Sequence, residues 1–190
     1  EAALERFPEQ PEVLCWLGVA ERELGLDGSA YERFRAALAL DPQDPFLLAT
    51  AGNGLALFDD PDAESALRTA ALLAPDLPAA RQLYGAYLSR EGLFADALRE
   101  LEAAAELAPE DAGVAYELGV ALALKGDMEA AVAPLARSVE LNPGEGWTLV
   151  VLGMVEAEME RMEDAARDLA EGARLRPDDV EAQVLAADMS

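Results

Sequence analysis

The sequence has no histidine, one lysine and one cysteine among its 190 residues. Without histidine, the most common general base and the most common metal ligand are both missing. Because Cys15 stands alone, an internal disulfide is excluded and the redox compartment stays open. No apolar run approaches the roughly 20 residues of a membrane-spanning helix, so direct membrane insertion is not expected. These absences argue against a disulfide scaffold, a histidine-based enzyme and a membrane protein.

Charge is strongly one-sided, with 14 basic residues against 38 acidic ones and a formal net charge of −24. A field of that sign repels phosphate backbones, so we expect no nucleic-acid partner, and it favours basic partners. A well-solvated outer face is the simpler explanation of the same excess. At 52% hydrophobic residues, the chain can still bury a substantial core.

Motifs that carry catalysis or hold a cofactor are missing. The sequence contains no glycine-rich phosphate loop, no Ser/His/Asp set and no cluster with metal-ligand spacing. Acidic pairs such as Asp59-Asp60 and Asp178-Asp179 are typical of helix starts rather than of metal sites. We therefore expect no catalytic residue, no cofactor and no metal, and an enzyme is the least favoured class.

Three residue types recur in one phase along the chain, at intervals of 34 residues with a single interval of 33. The prolines are Pro8, Pro42, Pro75, Pro109, Pro143 and Pro177. The glycines are Gly18, Gly52, Gly85, Gly119 and Gly153, and the alanines are Ala30, Ala63, Ala97, Ala131 and Ala165. A period of this length indicates a stacked array of helix–turn–helix units.

Each period predicts two amphipathic helices joined by a short turn. In the fourth period, apolar residues three and four apart form one stripe, at Ala115, Leu118 and Leu122. Gly126 suits the left-handed end of a first helix, and Pro143 stops the second one. The small residues are expected where the two helices cross, for instance Gly119 against Ala131, because an added methylene there overpacks the contact.

These residues resemble the tetratricopeptide repeat (TPR) family, and the resemblance covers nearly the whole chain. It is clearest in the third period, at Tyr84-Gly85, Ala97, Leu101, Ala104 and Pro109. The resemblance implies an all-α fold, a right-handed superhelical solenoid of helix-turn-helix repeats. Its first helices would line a concave groove and its second helices would form the outer wall. Departures at Glu21, Glu156 and Gly172 predict hairpins that pack less tightly.

Five complete repeats are predicted within 11–179, at 11–44, 45–77, 78–111, 112–145 and 146–179. Residues 1–10 resemble the end of a preceding repeat's second helix. Residues 180–190 resemble a capping helix or a partial sixth repeat. Both flanks are expected to belong to a longer parent array.

The register relative to the recurring glycine predicts which side chains face the groove. In the family's geometry, the positions six, three and two before the glycine and the position after it contribute to the concave face. The candidate partner-binding residues on those positions are Trp16, Val19, Phe46, Asn53, Leu83, Tyr116, Val120, Trp147, Val150 and Met154. Some of these positions also touch neighbouring first helices, so part of the set is expected to belong to the core.

The same positions argue against one well-known use of the family. TPR domains that hold the acidic C-termini of heat-shock chaperones use a lysine- and asparagine-rich carboxylate clamp. A carboxylate needs several charge-assisted donors at once, but here no lysine and only one asparagine, Asn53, stand on the groove positions. A carboxylate-clamp co-chaperone is therefore not expected. Acids fringe the apolar positions instead, at Glu12, Glu23, Glu117 and Glu158.

An apolar groove with an acidic rim favours a protein or peptide partner with apolar anchors and basic flanks, extended or helical. The interpretation is a non-catalytic scaffold or adaptor. Two alternatives stay open: a substrate-recruiting arm of a larger enzyme, and a secretion or assembly chaperone that shields an apolar segment. Self-association through the array ends is another alternative. The compartment also stays open, with the cytoplasm favoured and a periplasmic or membrane-tethered parent as the alternative.

Overall fold

The computed structural model describes residues 10–188, and α-helix is the only regular secondary structure among them. The helices in this range are α1 (Pro11–Glu23), α2 (Asp27–Ala39), α3 (Pro45–Ala56), α4 (Asp62–Leu73), α5 (Pro78–Arg90), α6 (Phe94–Leu107), α7 (Ala112–Lys125), α8 (Met128–Leu141), α9 (Gly146–Glu158), α10 (Met162–Leu175) and α11 (Val180–Asp188). Within the described range, no helix combines the length and the apolar character needed to cross a membrane. The all-α helix-turn-helix fold predicted from the sequence is confirmed.

Two predicted flanks fall partly outside the described range. The segment expected to end an earlier helix, residues 1–10, lies outside it except for Gln10. At the other end, α11 occupies positions 180–188 of the predicted capping helix.

Contacts divide the chain into two units, residues 1–87 and 88–190, at a boundary inside α5. The first unit contains the hairpins α1–α2 and α3–α4 and most of α5. The second contains the end of α5, then α6, the hairpins α7–α8 and α9–α10, and α11. In these four hairpins the two helices pack mainly against each other.

Prolines and acids determine where the first helix of a hairpin begins. α1 and α3 each begin on a proline, whose fixed φ suits the first helical position. The side chain of Asp44 accepts hydrogen bonds from the backbone N–H groups of Phe46 at 2.8 Å and Leu47 at 3.1 Å. Asp111 caps α7 in the same way. Gly126 ends α7 at φ 92°, which is the left-handed conformation predicted for it.

The recurring glycines Gly18, Gly52, Gly119 and Gly153 lie against the large side chain that follows the recurring alanine by four residues. A Cβ on Gly18 would lie 2.8 Å from the ring of Phe34, which also contacts Gly54 from the next hairpin. A Cβ on Gly119 would meet Leu135, and Ala131 is not among its nearest neighbours. In two other hairpins a Cβ on the recurring glycine would lie close to the carbonyl oxygen of the recurring alanine, at 3.2 Å for Gly52 and Ala63 and at 3.1 Å for Gly153 and Ala165, so the pairing of Gly119 with Ala131 stays a prediction. Glycine is needed because the buried residue four positions after the alanine fills that space.

The hairpin α9–α10, which we call the fifth hairpin because it falls in the fifth predicted repeat, is closely packed at Gly172, where the sequence predicted looser packing. A Cβ on Gly172 would lie 2.8 Å from the carbonyl oxygen of Gly146 and 3.1 Å from the backbone nitrogen of Val150. Backbone atoms cannot rotate aside as a side chain can. The glycine pair therefore lets α9 and α10 approach more closely than an alanine would allow, and the prediction for Gly172 is wrong.

A buried carboxylate occupies the shortened turn between α3 and α4. Asp60 accepts hydrogen bonds from the Tyr31 hydroxyl at 2.8 Å and from the backbone N–H of Asp62 at 2.9 Å. Burial raises the pKa of Asp60, but these hydrogen bonds and the charge of Arg35 outweigh it, so the pKa lies below its usual value. The turn is thus held by an ionised side chain tied to α2.

Candidate functional site

Two aromatic side chains predicted at the groove lie next to each other in the first unit. The ring centroids of Trp16 and Phe46 are 5.9 Å apart, with 34° between the ring planes. Trp16 is 54% exposed and Phe46 is 43% exposed. With Val19 and Asn53 they line a cavity of about 180 Å³, and we call these four residues the first patch. The first patch therefore offers two exposed rings beside a polar amide.

The neighbouring hairpins determine the position of the first patch. Trp16 lies on α1 and Phe46 lies on the first turn of α3, which the Asp44 cap fixes. The buried ring of Phe34 forms part of the cavity wall. Arg22 also lines the cavity, and its guanidinium lies 3.0 Å from Glu23. The rim of the first patch is therefore of mixed charge.

The second unit contains an apolar surface built from α7 and α9. Val120, Leu124, Val151 and Met154 line a cavity of about 240 Å³, and we call these four residues the second patch. Leu124 is 54% exposed and Met154 is 43% exposed. Glu158 lines the same cavity. The second patch thus pairs exposed apolar side chains with one carboxylate.

Tyr116 and Trp147 line a different cavity of the second unit, of about 430 Å³. The guanidinium of Arg176 lies 5.4 Å from the centroid of the Trp147 ring and 3.4 Å from Glu145. Burial raises the pKa of Tyr116 and the charge of Glu117 adds to this, whereas a hydrogen bond with Trp147 opposes it. Since Trp147 is partly buried and already contacts a cation, it forms a pocket wall rather than an open anchor.

Two predicted groove residues are packed into cores. Val150 is 0% exposed and belongs to a cluster with Leu169, Ala173 and Ala182. Its assignment as a contact residue is corrected, because α11 and α10 cover this side of α9 and leave a partner no access. Leu83 is partly buried and packs against the core of the first unit.

Several residues that line these cavities were not predicted from the sequence. Leu124 follows Val120 by one helical turn, so the spacing of the groove positions contained the signal for it. Arg176 and Asn142 lie at or just after the ends of second helices and reach the Trp147 cavity from outside the groove positions. No repeat-based signal pointed to those two.

Cys15 and the acidic side chains were considered as a thiol centre and as metal ligands in the described part of the chain. Burial raises the pKa of Cys15 to about 11, so its thiol stays protonated and unreactive at neutral pH. Among residues 10–188, no group of three or more histidine, cysteine or acidic side chains is placed to hold a metal ion.

Helical hairpins repeated every 34 residues around glycine crossings define an α-helical repeat protein. The family model of the tetratricopeptide repeat matches residues 1–45 and 85–146, which is more than half of the chain. The chain therefore belongs to the TPR family. TPR proteins are in general non-catalytic scaffolds for protein–protein interaction. No match was found among curated protein sequences.

Solved structures with the same fold include several TPR proteins. A thermophilic TPR protein of Thermus thermophilus superposes with a TM-score of 0.81 at 24% identity, over 94% of this chain and 98% of that one. MamA of Desulfovibrio magneticus RS-1 gives 0.68 at 24% identity, over 89% and 97%. YrrB, described as a TPR protein with an unusual peptide-binding site, gives 0.63 at 22% identity, over 96% and 95%. At these identities the likeness establishes the fold alone.

Proposed function

We propose that this chain is a non-catalytic scaffold that holds peptide segments of other proteins at the first and second patches. The observation that carries the proposal is the exposed pair of Trp16 and Phe46 beside a cavity of about 180 Å³. Large aromatic side chains of this kind dominate binding energy at protein interfaces because they bury much apolar area with few rotatable bonds.

The first patch suits an apolar side chain of the partner. A cavity of this size accepts a side chain of the leucine or phenylalanine class rather than a folded domain. Asn53, at the cavity wall, has both donors and an acceptor for a peptide backbone beside the anchor. The partner inferred from the first patch is a segment with at least one large apolar anchor.

The second patch favours a basic residue beside the anchor. Glu158 lines the cavity together with the exposed side chains of Leu124 and Met154. The chain's net charge of −24 adds a long-range attraction for basic segments. Binding at the second patch is therefore expected to weaken with added salt, as screening shortens the reach of that attraction.

Selection from a random peptide library, followed by affinity measurements, tests this function. Enriched peptides should carry a large apolar residue near lysine or arginine. Trp16→Ser should lower the affinity of peptides that use the first patch by roughly 30-fold, which is the loss typical of a truncated hot spot. Met154→Ser should lower the affinity of peptides that use the second patch by roughly 10-fold.

Matched controls exist for both variants. Met162→Ser removes a methionine that is 51% exposed, against 43% for Met154, and lies outside the second patch, and Leu24→Ser removes an exposed apolar side chain outside the first. Both controls should leave affinity within about twofold. A library that yields no enriched peptide would count against the function, as would peptides that bind the Trp16 and Met154 variants and the controls alike.

A further inference from the structure

Two carboxyl groups meet inside the fifth hairpin. Glu156 of α9 is 6% exposed, and its Oε2 atom is buried without a hydrogen-bond partner. The carboxyl group of Asp168 on α10 is also buried, at 8% exposed, and is near enough for its charge to act on Glu156. Two ionised carboxylates have no donor between them, so a hydrogen bond between these two groups requires a proton.

The charges around Glu156 favour retention of that proton. α10 presents Asp168 and Asp164, and both accept hydrogen bonds from Arg167, at 2.8 Å and 2.7 Å. Burial raises the pKa of Glu156 to about 7, with the charges of Asp168 and Asp164 adding to the rise and that of Arg167 opposing it. Arg167, the cation that acts on Glu156, is thus shared between Asp168 and Asp164.

The other helices packed on α9 bring no cation free to neutralise Glu156. α7 and α8 carry one cation each, Lys125 and Arg137, which pair with Asp127 and with Glu110 and Glu140. The acids on these helices and on α11 are Glu117, Glu129, Glu140, Glu181 and Asp188. Within the described residues, ionised Glu156 therefore faces an acidic surrounding.

We propose that the Glu156–Asp168 contact is a proton-dependent lock between α9 and α10. With the proton in place the two carboxyls join the helices. When the proton leaves, two negative charges face each other across the hairpin and favour its opening. The lock depends on neither the first nor the second patch, so it stands apart from the proposed function.

The direction of the pH effect follows from the higher pKa in the folded state. The pKa of Glu156 is near 4.5 in the unfolded chain and about 7 in the folded one. The stabilisation is fully present below about pH 4.5 and is lost as the pH rises through 7. Between pH 5.5 and 8.5, opening of the fifth hairpin should increase on the order of 30-fold.

Hydrogen exchange measured by mass spectrometry, corrected for intrinsic rates, tests the lock. Amides of α9 and α10 in the whole chain should open more as the pH rises in the wild type. In Glu156→Gln, whose amide can donate to Asp168 at every pH, that dependence should disappear. Equal pH dependence in both proteins, or none in the wild type, would overturn the proposal.

Amides of α1 and α2 in the same sample are an internal control. Their hairpin contains a carboxyl with an arginine partner, Glu21 and Arg33 at 3.4 Å, so Glu156→Gln should leave them unchanged. If Glu156→Gln fails to fold, a carbon-13 titration of the wild-type side-chain carboxyls decides the question. A Glu156 midpoint near pH 7 supports the lock, and a midpoint near 4.5 refutes it.

Discussion

The first and fifth hairpins place different chemistry on the same two register positions. Three residues after the recurring glycine, both have a glutamate, Glu21 and Glu156. Three residues after the recurring alanine, the first hairpin has Arg33 and the fifth has Asp168. The glutamate of the first hairpin therefore forms an ion pair with an arginine, whereas the glutamate of the fifth faces a second acid. The repeat thus determines where side chains meet, while the residue three positions after the alanine determines whether the glutamate faces a cation or an acid.

A second difference concerns the backbone of the same two hairpins. At the positions where the fifth hairpin has Gly146 and Gly172, the first has Pro11 and Ala37. The glycines bring backbone atoms into contact, as a Cβ built on either would lie 2.8 Å from the other's carbonyl oxygen. The fifth hairpin thus tolerates less added volume.

Gly172→Val has the largest expected effect. The added atoms meet the backbone of Gly146 and Val150, so the free energy of unfolding should fall by about 3 kcal/mol through overpacking. Urea unfolding followed by circular dichroism measures the loss. Gly28→Ala in the first hairpin is the contrasting variant, since its Cβ meets nothing within 4 Å. It should be neutral or gain about 0.5 kcal/mol. Similar losses in both variants would contradict the packing difference.

Arg33→Asp should convert the first hairpin into a copy of the fifth. Glu21 would lose its cation and face a second carboxyl, so stability should fall by about 1–2 kcal/mol at pH 8, a value reduced for the partial exposure of the pair. At pH 5, protonation should restore part of the loss, because the new pair binds a proton more tightly when folded. The measurement is urea unfolding at both pH values.

Arg33→Gln is the control for that conversion, because it removes the cation without adding an acid. The loss of stability in Arg33→Gln should change less between pH 5 and pH 8 than the loss in Arg33→Asp. Identical pH profiles for the two variants would show that a carboxyl pair at these positions does not create pH dependence.

Tyr31→Phe has the smallest expected effect and removes a bond that the fifth hairpin lacks, where Ala166 stands at the equivalent position. Buried Asp60 would keep the Asp62 N–H and Arg35 but lose the hydroxyl at 2.8 Å. The expected cost is about 1 kcal/mol, the usual contribution of one hydrogen bond. Thermal unfolding checks it, and an unchanged melting temperature would show that the turn does not depend on Tyr31.

The hairpin fold was predictable because its signals are local. Proline, glycine and alanine each act on the backbone or on the nearest helix, so their spacing alone indicates where helices begin, cross and end. The first patch was predictable for the same reason, since the register within a repeat determines which face of each first helix is exposed. Its four residues were all named from the sequence.

The rest of the candidate site depends on contacts between distant residues. Val150 has the register of a groove residue but is covered by α10 and α11. Trp147 contacts Arg176, which comes from the end of a later helix. The close approach at Gly172 depends on Gly146, 26 residues earlier. Periodicity describes one repeat at a time, so it contains no signal for such pairs.

Chemical-shift mapping with a library-selected peptide shows whether exposed patches on the first helices hold the partner. Spectra would be recorded for the tryptophan indoles and the methyl groups of the whole chain during the titration. We expect shifts at Trp16 and Val19, at Val120 and Met154, or at both sets. Shifts confined to side chains on second helices, such as Leu72 and Val132, would contradict it.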